Sequence, residues 1–227
     1  MKGIEQCEHL LSVNLNVNCI AKVCDLSRLR YLRSLSLKDN HLTDISGIKT
    51  AGPFLRSLCL QHNRIRDISA ISDCTSLTSL DLQNNQITDL TSLRSLPRLE
   101  VLDVSRNKVA KADALSQLYT LRQLTIGHNC LASIDPITSL PLLDMLLAQE
   151  NSVSLFPTSF SAPSLRQVWL NNNPITHLPR LTGCPSLEVL QLRDTGLRSI
   201  APGCFSHCPN MKVVDIAFND IGKVVEG

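Results

Sequence analysis

The stretches LRSLSLKDNHL (Leu32–Leu42) and LTSLDLQNNQI (Leu77–Ile87) share the pattern L-x-x-L-x-L-x-x-N-x-L, and this pattern predicts the fold. Copies of it begin at Leu10, Leu32, Leu55, Leu77, Leu99, Leu121, Leu143, Leu165, Leu187 and Met211. Successive copies start 22 to 24 residues apart, and ten units of such regularity do not arise by chance. The sequence therefore predicts a solenoid in which about ten similar units are stacked.

Each position of the unit has a physical role. The alternation in Leu-x-Leu predicts a short strand with one buried face, and stacked units place these strands in a parallel sheet about 4.8 Å apart. The asparagine at the ninth position lies where the chain turns inward, and its amide can both donate to and accept from backbone groups of neighbouring turns. Thr195 replaces this asparagine in the ninth unit, so we expect that rung to be less well satisfied.

The return side of each unit is predicted to form short helical turns. Ser, Thr or Asp at the start of each turn is predicted to be its N-cap, with Pro136 at the first helical position of its turn. Apolar residues spaced by three then lead into the next strand. Cys74, Cys184 and Cys208 occupy the middle place of that apolar triplet and are therefore predicted to be buried small hydrophobes. The triplets that carry the predicted caps are Ser46-Gly47-Ile48, Ser69-Ala70-Ile71, Thr91-Ser92-Leu93, Asp113-Ala114-Leu115 and Asp135-Pro136-Ile137.

Composition narrows the function classes. Apolar residues make up 43% of the chain but aromatics only 4%, which favours many similar small layers over one large mixed core. The formal net charge is +2 with the charges interspersed, so no basic run favours a nucleic acid or an anionic membrane as partner. The N-terminus lacks the apolar stretch of a secretory signal, and the nine cysteines are odd in number. These features favour a reduced, cytoplasmic protein.

The composition does not change along the chain, so residues 1–227 are predicted to form a single domain. We see no polar capping unit after Asn219 and Ile221, although solenoids need such units to cover their last layers. We therefore expect this domain to be part of a longer protein, whose other regions can include coiled coils.

The 22-residue units NHLTDISGI, NRIRDISAI and NQITDLTSL resemble the short-repeat subclass of leucine-rich repeat proteins. The resemblance implies an α/β fold, a curved leucine-rich-repeat solenoid with a parallel sheet on the concave face and short helical turns on the convex side. Members of this subclass include the phosphatase-1 regulatory subunit, the outer-arm dynein light chain, tubulin-folding cofactors, and ciliary and centrosomal proteins; bacterial internalins use a similar repeat. Most are non-catalytic scaffolds. The last units, ITHLPRL and LRSIAPGCFSHCPNMKVVDI, look like the repeat of receptors and matrix proteins.

The strand residues that point away from the core form the candidate binding surface. Trp169, the only tryptophan of the chain, falls at an outward position in the second half, where the neighbouring outward residues are large and apolar. Exposed aromatics with a polar rim are typical of binding hot spots. The alternative is that Trp169 merely covers neighbouring strands or packs against a cap outside this sequence. The predicted partner-binding residues are Met145, Leu147, Glu150, Trp169, Val189, Gln191, Arg193, Val213 and Asp215.

A second candidate is a charged cluster of Asp81, Asp103, Arg106 and His128, whose carboxylates could pair with a lysine or arginine of a partner. The plainer interpretation is a solvated face. The run Cys204-x-x-His207-Cys208 could suggest zinc, but Cys208 belongs to the buried triplet, so we predict no metal and no cofactor. Asp81 and Asp103 are predicted to be open to solvent, and the familiar catalytic motifs are missing from the sequence, so we predict no catalytic residues.

The sequence thus predicts a non-catalytic interaction scaffold that binds a helix or a small globular domain of another protein on its concave face. A cytoskeletal, ciliary or centrosomal setting is expected from the resemblance. Two alternatives stay open: a regulatory subunit of a protein phosphatase, and an extracellular receptor-type repeat domain.

Overall fold

The computed structural model describes residues 3–157, 160 and 162–222, which belong to two compact units, Met1–Val109 and Ala110–Gly227. In the first unit, five three-residue strands form a parallel sheet in chain order. They are β1 (Ser12–Asn14), β2 (Ser34–Ser36), β3 (Ser57–Cys59), β4 (Ser79–Asp81) and β5 (Val101–Asp103). One short 3-10 helix, Ile4–Gln6, precedes β1, and others lie between later strands at Ser46–Thr50, Gly52–Phe54, Ser69–Asp73 and Thr91–Ser95.

The second unit repeats this arrangement with one difference. Its main sheet consists, in order, of β6 (Gln123–Thr125), β7 (Met145–Leu147), β8 (Gln167–Trp169), β10 (Val189–Gln191) and β12 (Val213–Asp215). A separate two-stranded parallel sheet pairs β9 (His177–Leu178) with β11 (Ser199–Ile200). The 3-10 helices Asp113–Gln117 and Asp135–Ile137 are confined to the first part of this unit among the described residues.

The predicted repeat register is confirmed within each unit. Equivalent positions of neighbouring strands pair directly, as in Leu58 with Leu80 and Leu190 with Val214. The middle residues of the three-residue strands from β1 to β10 are buried, among them Leu58, Leu80 and Leu190, whereas Val214 in the last strand, β12, is 37% exposed. The apolar triplets fill the return side, where Cys74, Cys184 and Cys208 are buried as predicted. The core is therefore a stack of thin leucine layers, one from each repeat.

The ninth-position asparagines form the predicted hydrogen-bonded ladder through this core. In a typical rung, the Asn85 amide nitrogen donates to the carbonyls of Leu60 and Leu82, each at 3.0 Å. The Asn85 amide oxygen accepts from the backbone N–H of Ile65 at 3.0 Å. Each side chain therefore satisfies polar backbone groups of its own repeat and of the preceding one. Asparagines buried in this way are Asn40, Asn63, Asn85, Asn107, Asn151 and Asn173.

The rung at Thr195 is the weaker one, as predicted. The Thr195 hydroxyl lies 2.8 Å from the Asn219 amide oxygen and 3.3 Å from the Leu192 carbonyl, and its single proton serves one of them at a time. The backbone N–H of Ile175 turns to the carbonyl of Asn173 at 2.8 Å, whereas its counterpart Val153 donates to an asparagine side chain. The threonine hydroxyl, which has one proton to donate, therefore cannot replace the asparagine amide, which has two.

The predicted N-caps were wrong by one residue, because the N-cap positions are Ile45, Ile68 and Leu90. Ser46, Ser69 and Thr91 begin their 3-10 helices and make no cap through their side chains. Instead, an aspartate two residues earlier accepts from each of their backbone N–H groups. Asp44, Asp67 and Asp89 accept in this way at 2.8, 2.7 and 2.9 Å. The short aspartate side chain favours such local turns.

Two further residues on the return side of the repeats, Asp44 and Pro136, show how these turns are stabilised. The Lys22 ammonium, 2.8 Å from the Asp44 carboxylate, together with Ser46 holds the pKa of Asp44 well below its usual range. Pro136 is the second residue of its 3-10 helix, not the first, because Asp135 begins that helix. The missing N–H of Pro136 still falls among the first N–H groups of a helix, which have no helical partner.

The residue before each ladder asparagine adopts a left-handed backbone conformation, and Val17 is the β-branched member of this column with φ 56°. A β-branched residue is strained there by about 1–2 kcal/mol, whereas asparagine tolerates it. We expect Val17→Asn to raise the free energy of unfolding by about 1 kcal/mol in urea denaturation. The reciprocal control, Asn84→Val at φ 52°, should lower it. A Val17→Asn protein no more stable than the parent would contradict this account of the turn.

Gly47 marks a close approach within the first unit. A Cβ atom at this position would lie 2.0 Å from the Cys24 carbonyl oxygen and 2.5 Å from that of Val23. Since backbone would have to move, we expect Gly47→Ala to destabilise the protein by about 1–3 kcal/mol in urea denaturation. Ser92→Ala, at the matching place of its turn, is the control and should change stability by less than about 0.5 kcal/mol. Equal stability of the two variants would refute the close approach.

Candidate functional site

The first and third residues of each strand point away from the core and form what we call the outer sheet face. In the first unit this face is small and polar, and Ser12, Ser34, Ser57 and Ser79 stand in register along it. In the second unit the same columns carry larger apolar side chains. The leading column there is Gln123, Met145, Gln167, Val189 and Val213, and the trailing column is Thr125, Leu147, Trp169, Gln191 and Asp215.

Five of the predicted binding residues form an apolar surface on this face, here called the Trp169 patch: Met145, Leu147, Trp169, Val189 and Val213. Trp169 pairs with Leu147 on β7 and with Gln191 on β10. Trp169 is 37% exposed and Val213 45% exposed, while Met145, Leu147 and Val189 are half-buried. The Trp169 ring therefore covers part of the sheet and still presents a large apolar area to solvent.

A second aromatic lies close to this patch. Phe218 is 70% exposed, and the Arg193 guanidinium stacks over its ring at 4.3 Å from the centroid. The prediction placed Arg193 in the polar rim but left Phe218 out of the binding residues. The sequence did contain a signal for Phe218, since it occupies the position directly before the ladder asparagine Asn219. In the second unit, most side chains at that position are exposed. Asp215 ends the trailing column, and its carboxylate accepts from the backbone N–H of Ala217 at 3.0 Å.

Glu150 and His128 were predicted to belong to different clusters, and the structure brings them together. The His128 Nδ1 atom lies 2.7 Å from the Glu150 carboxylate, and both residues precede a ladder asparagine. The left-handed backbone at both positions, with φ 55° and 53°, aligns their side chains. His128 therefore belongs to the rim of the second unit.

Asp81 and Asp103 lie in register on β4 and β5, as predicted for the charged cluster. Each carboxylate is engaged locally, accepting from the backbone N–H of Gln83 at 3.0 Å and of Ser105 at 2.8 Å, respectively. Burial, with the nearby Asp103 charge adding to it, raises the pKa of Asp81. Arg106 is exposed in the left-handed column. Both aspartates are half-buried, so the prediction that they are open to solvent was wrong; their carboxylates hold the backbone at the strand ends.

The opposite edge of the second unit carries a ladder of ion pairs that the sequence reasoning missed. The Arg166 guanidinium lies 3.7 Å from Asp144 and 3.9 Å from Glu188, and the Lys212 ammonium lies 2.7 Å from Glu188. The hydrogen bond from Lys212 lowers the pKa of Glu188. The sequence contained a signal for these ion pairs, because residues of opposite charge occupy the same position in successive repeats. The charges along this edge are therefore largely neutralised within the protein.

Sequence-family models match both units. A model described as "Leucine Rich repeats (2 copies)" matches residues 30–73, 53–95 and 75–117, and one described as "Leucine rich repeat" matches residues 163–221. An internalin C2 of Listeria monocytogenes is 31% identical over 73% of this chain and 73% of that chain, with a TM-score of 0.69. The chain belongs to the leucine-rich repeat family.

Other leucine-rich repeat structures share the fold at lower identity. An internalin (inlF) of Listeria monocytogenes is 24% identical, with a TM-score of 0.75 over 97% of this chain and 71% of that chain. A plant peptide hormone receptor, RGFR1, in complex with RGF2 is 20% identical, with a TM-score of 0.70 over 95% of this chain and 41% of that chain. No curated protein matches the chain. Leucine-rich repeat domains generally act in protein–protein interaction.

In this leucine-rich repeat domain, the thiols of the Cys204-x-x-His207-Cys208 run are buried against backbone carbonyls. The Cys204 thiol donates to the Pro179 carbonyl at 3.1 Å, and the Cys208 thiol lies 3.7 Å from the Leu181 carbonyl. Burial raises the pKa of Cys204 to about 11, so its thiol is protonated at neutral pH. Among residues 3–157, 160 and 162–222, no group of three His, Cys, Asp or Glu side chains is placed to hold a metal ion. Nor does any helix in these ranges have the length and apolarity to cross a membrane.

Proposed function

We propose that this leucine-rich repeat domain is a non-catalytic module that binds a partner protein through the Trp169 patch. The supporting observation is the exposure of Trp169, which pairs with Leu147 on the neighbouring strand, on the same sheet face that carries Val189 and Val213. Leaving such apolar area in water is unfavourable by roughly 25 cal/mol per Å², and covering it with a partner recovers that free energy. Trp and Arg are also enriched among residues that dominate binding.

The dimensions of the patch support a helix or a small globular domain as the partner. Strands β7, β8, β10 and β12 are consecutive in the sheet, and at about 4.8 Å per step they span roughly 14 Å. Two to three turns of an α-helix, at about 5.4 Å each, cover that distance. The apolar side chains of the patch would then face one side of the helix, flanked by Gln191 and Arg193.

The experiment is a pull-down from cell extract with the parent chain, a Trp169→Ala variant and a Tyr119→Ala control, each analysed by mass spectrometry. Tyr119 is a matched control because it is an exposed aromatic that lies outside the strands. We expect partners that are lost with Trp169→Ala and kept with Tyr119→Ala. The same partners with all three proteins would refute the site. Recovery of a phosphatase catalytic subunit would indicate the regulatory-subunit role.

We also propose that the protein works in the cytoplasm, in a cytoskeletal, ciliary or centrosomal assembly. The repeat pattern supports this setting through its resemblance to proteins of those assemblies. The place of Cys74, Cys184 and Cys208 as buried core side chains with free thiols supports it further. Reduced cysteines are the rule in the cytosol.

A receptor-type domain is the second candidate, and the likeness to the RGFR1 fold favours it. Thiol titration after denaturation of protein from its native source distinguishes the two. We expect nine reactive thiols from a cytoplasmic protein, one for each cysteine of the chain. A count of seven or fewer that rises to nine on reduction would favour the receptor-type domain.

A further inference from the structure

The Trp169 patch has an acidic edge on one side. Glu150 precedes the ladder asparagine Asn151, Asp194 precedes Thr195 at the equivalent place, and both are exposed; Asp215 ends the trailing column two residues after Val213. The left-handed backbone at Glu150 and Asp194, with φ 53° and 54°, gives both side chains the same placement in their repeats. Three carboxylates therefore follow the strands of the patch at their C-terminal ends.

Among the described residues, Glu150 pairs with the His128 ring at 2.7 Å, so the unpaired negative charge of this edge comes from Asp194 and Asp215. The Arg193 guanidinium is stacked on Phe218, and Arg166 and Lys212 pair with Asp144 and Glu188 at the other edge of the strands. Within the part of the chain that the structure describes, neither Asp194 nor Asp215 has an ion-pair partner within 4.0 Å. The patch is thus bordered by paired charges on one side and by an excess of negative charge on the other.

We propose that the partner presents a basic amphipathic segment, whose apolar side covers the Trp169 patch and whose lysine or arginine side chains face Glu150, Asp194 and Asp215. This inference rests on the proposed function and adds the chemistry of the partner. A partner with acidic groups at this edge would meet like charges, which costs binding free energy and slows encounter. Basic groups instead gain attraction that steers association and weakens as salt is added.

The test uses the protein's own reporter, because Trp169 is the only tryptophan in the chain. Three synthetic amphipathic helical peptides of equal length, built from Leu and Lys, Leu and Gln, or Leu and Glu, are titrated while Trp169 fluorescence is followed. We expect the Leu/Lys peptide to shift the emission to shorter wavelength at about tenfold lower concentration than the Leu/Gln peptide, corresponding to about 1.4 kcal/mol. The Leu/Glu peptide should bind most weakly, and added salt should reduce the difference.

Isosteric variants assign this preference to the edge. The combined variant Glu150→Gln, Asp194→Asn and Asp215→Asn should bind Leu/Lys and Leu/Gln peptides alike. A control with the same change of net charge in the first unit, Asp25→Asn, Asp39→Asn and Glu100→Gln, should keep the preference. The inference is overturned if the edge variant retains the preference or if the parent chain shows none. Equal binding of all three peptides would still be compatible with an apolar docking patch, whereas the pull-down with Trp169→Ala tests the proposed function independently.

Discussion

Replacing Asn85 by alanine should destabilise the protein by about 3 kcal/mol or more, the largest stability effect we expect from a single side chain. The change removes two donated bonds and one accepted bond, all at 3.0 Å, from a side chain that is only 8% exposed. It leaves the N–H of Ile65 without this partner, while the carbonyls of Leu60 and Leu82 each keep one bond, from the Asn63 and Asn107 amides at 3.0 Å. An unsatisfied buried group costs about 1–3 kcal/mol, and each lost hydrogen bond about 1 kcal/mol more. Urea denaturation followed by circular dichroism measures the loss.

Thr88→Ala is the matched control, since Thr88 lies three residues further along the same turn and is exposed. We expect its free energy of unfolding to stay within about 0.5 kcal/mol of the parent value. Parts of a repeat protein can unfold separately. Because Asn85 lies in the first compact unit, that unit should show the larger change in hydrogen-exchange protection. An Asn85→Ala protein as stable as the control would mean that water satisfies these groups and that the ladder contributes little.

Trp169→Ala should weaken binding to a captured partner protein by about 2 kcal/mol or more, which is roughly 30-fold in Kd. The indole supplies the largest apolar area of the outer sheet face in the second unit, and its loss opens a gap between Leu147 and Gln191. Isothermal titration calorimetry with the partner identified by pull-down measures the change. Because Trp169 is 37% exposed, the variant should keep the circular dichroism spectrum of the parent.

The control for this measurement is Val101→Ala. Val101 is also 37% exposed and also lies on an outer sheet face, but it belongs to the first unit. We expect its Kd to change less than about twofold, because residues outside a hot spot contribute little. A loss of affinity at Val101 equal to that at Trp169 would place the interaction on the first unit instead.

The sequence predicted the repeat architecture well because its signal is redundant. A leucine spacing repeated ten times determines which residues share a column, and the columns through Ser57 and through Trp169 were found in register as expected. Burial followed from the same spacing, including that of Cys74 and Cys184. A period of 22 residues leaves little choice about which side chains face the core.

Features that depend on local geometry were harder to predict. Asp44 and its equivalents cap the turns because the carboxylate accepts from the backbone N–H two residues later in the chain. From the spacing alone, a serine at the start of the turn was an equally reasonable cap. The stacking of Arg193 on Phe218 depends on a left-handed backbone at Phe218, with φ 57°. The residue type of Phe218 does not predict this backbone conformation. Pairwise contacts of this kind follow from backbone direction, which the repeat pattern does not specify.

The most direct test of the central claim is acrylamide quenching of Trp169 fluorescence with and without the captured partner, using a partner variant whose own tryptophans are replaced by phenylalanine. Trp169 is the only tryptophan of this chain and 37% exposed, so the signal reports the patch alone. We predict that saturation with the partner lowers the quenching constant at least twofold, because the indole becomes covered. An unchanged quenching constant at saturation would show that the partner binds elsewhere and would contradict the assignment of the Trp169 patch.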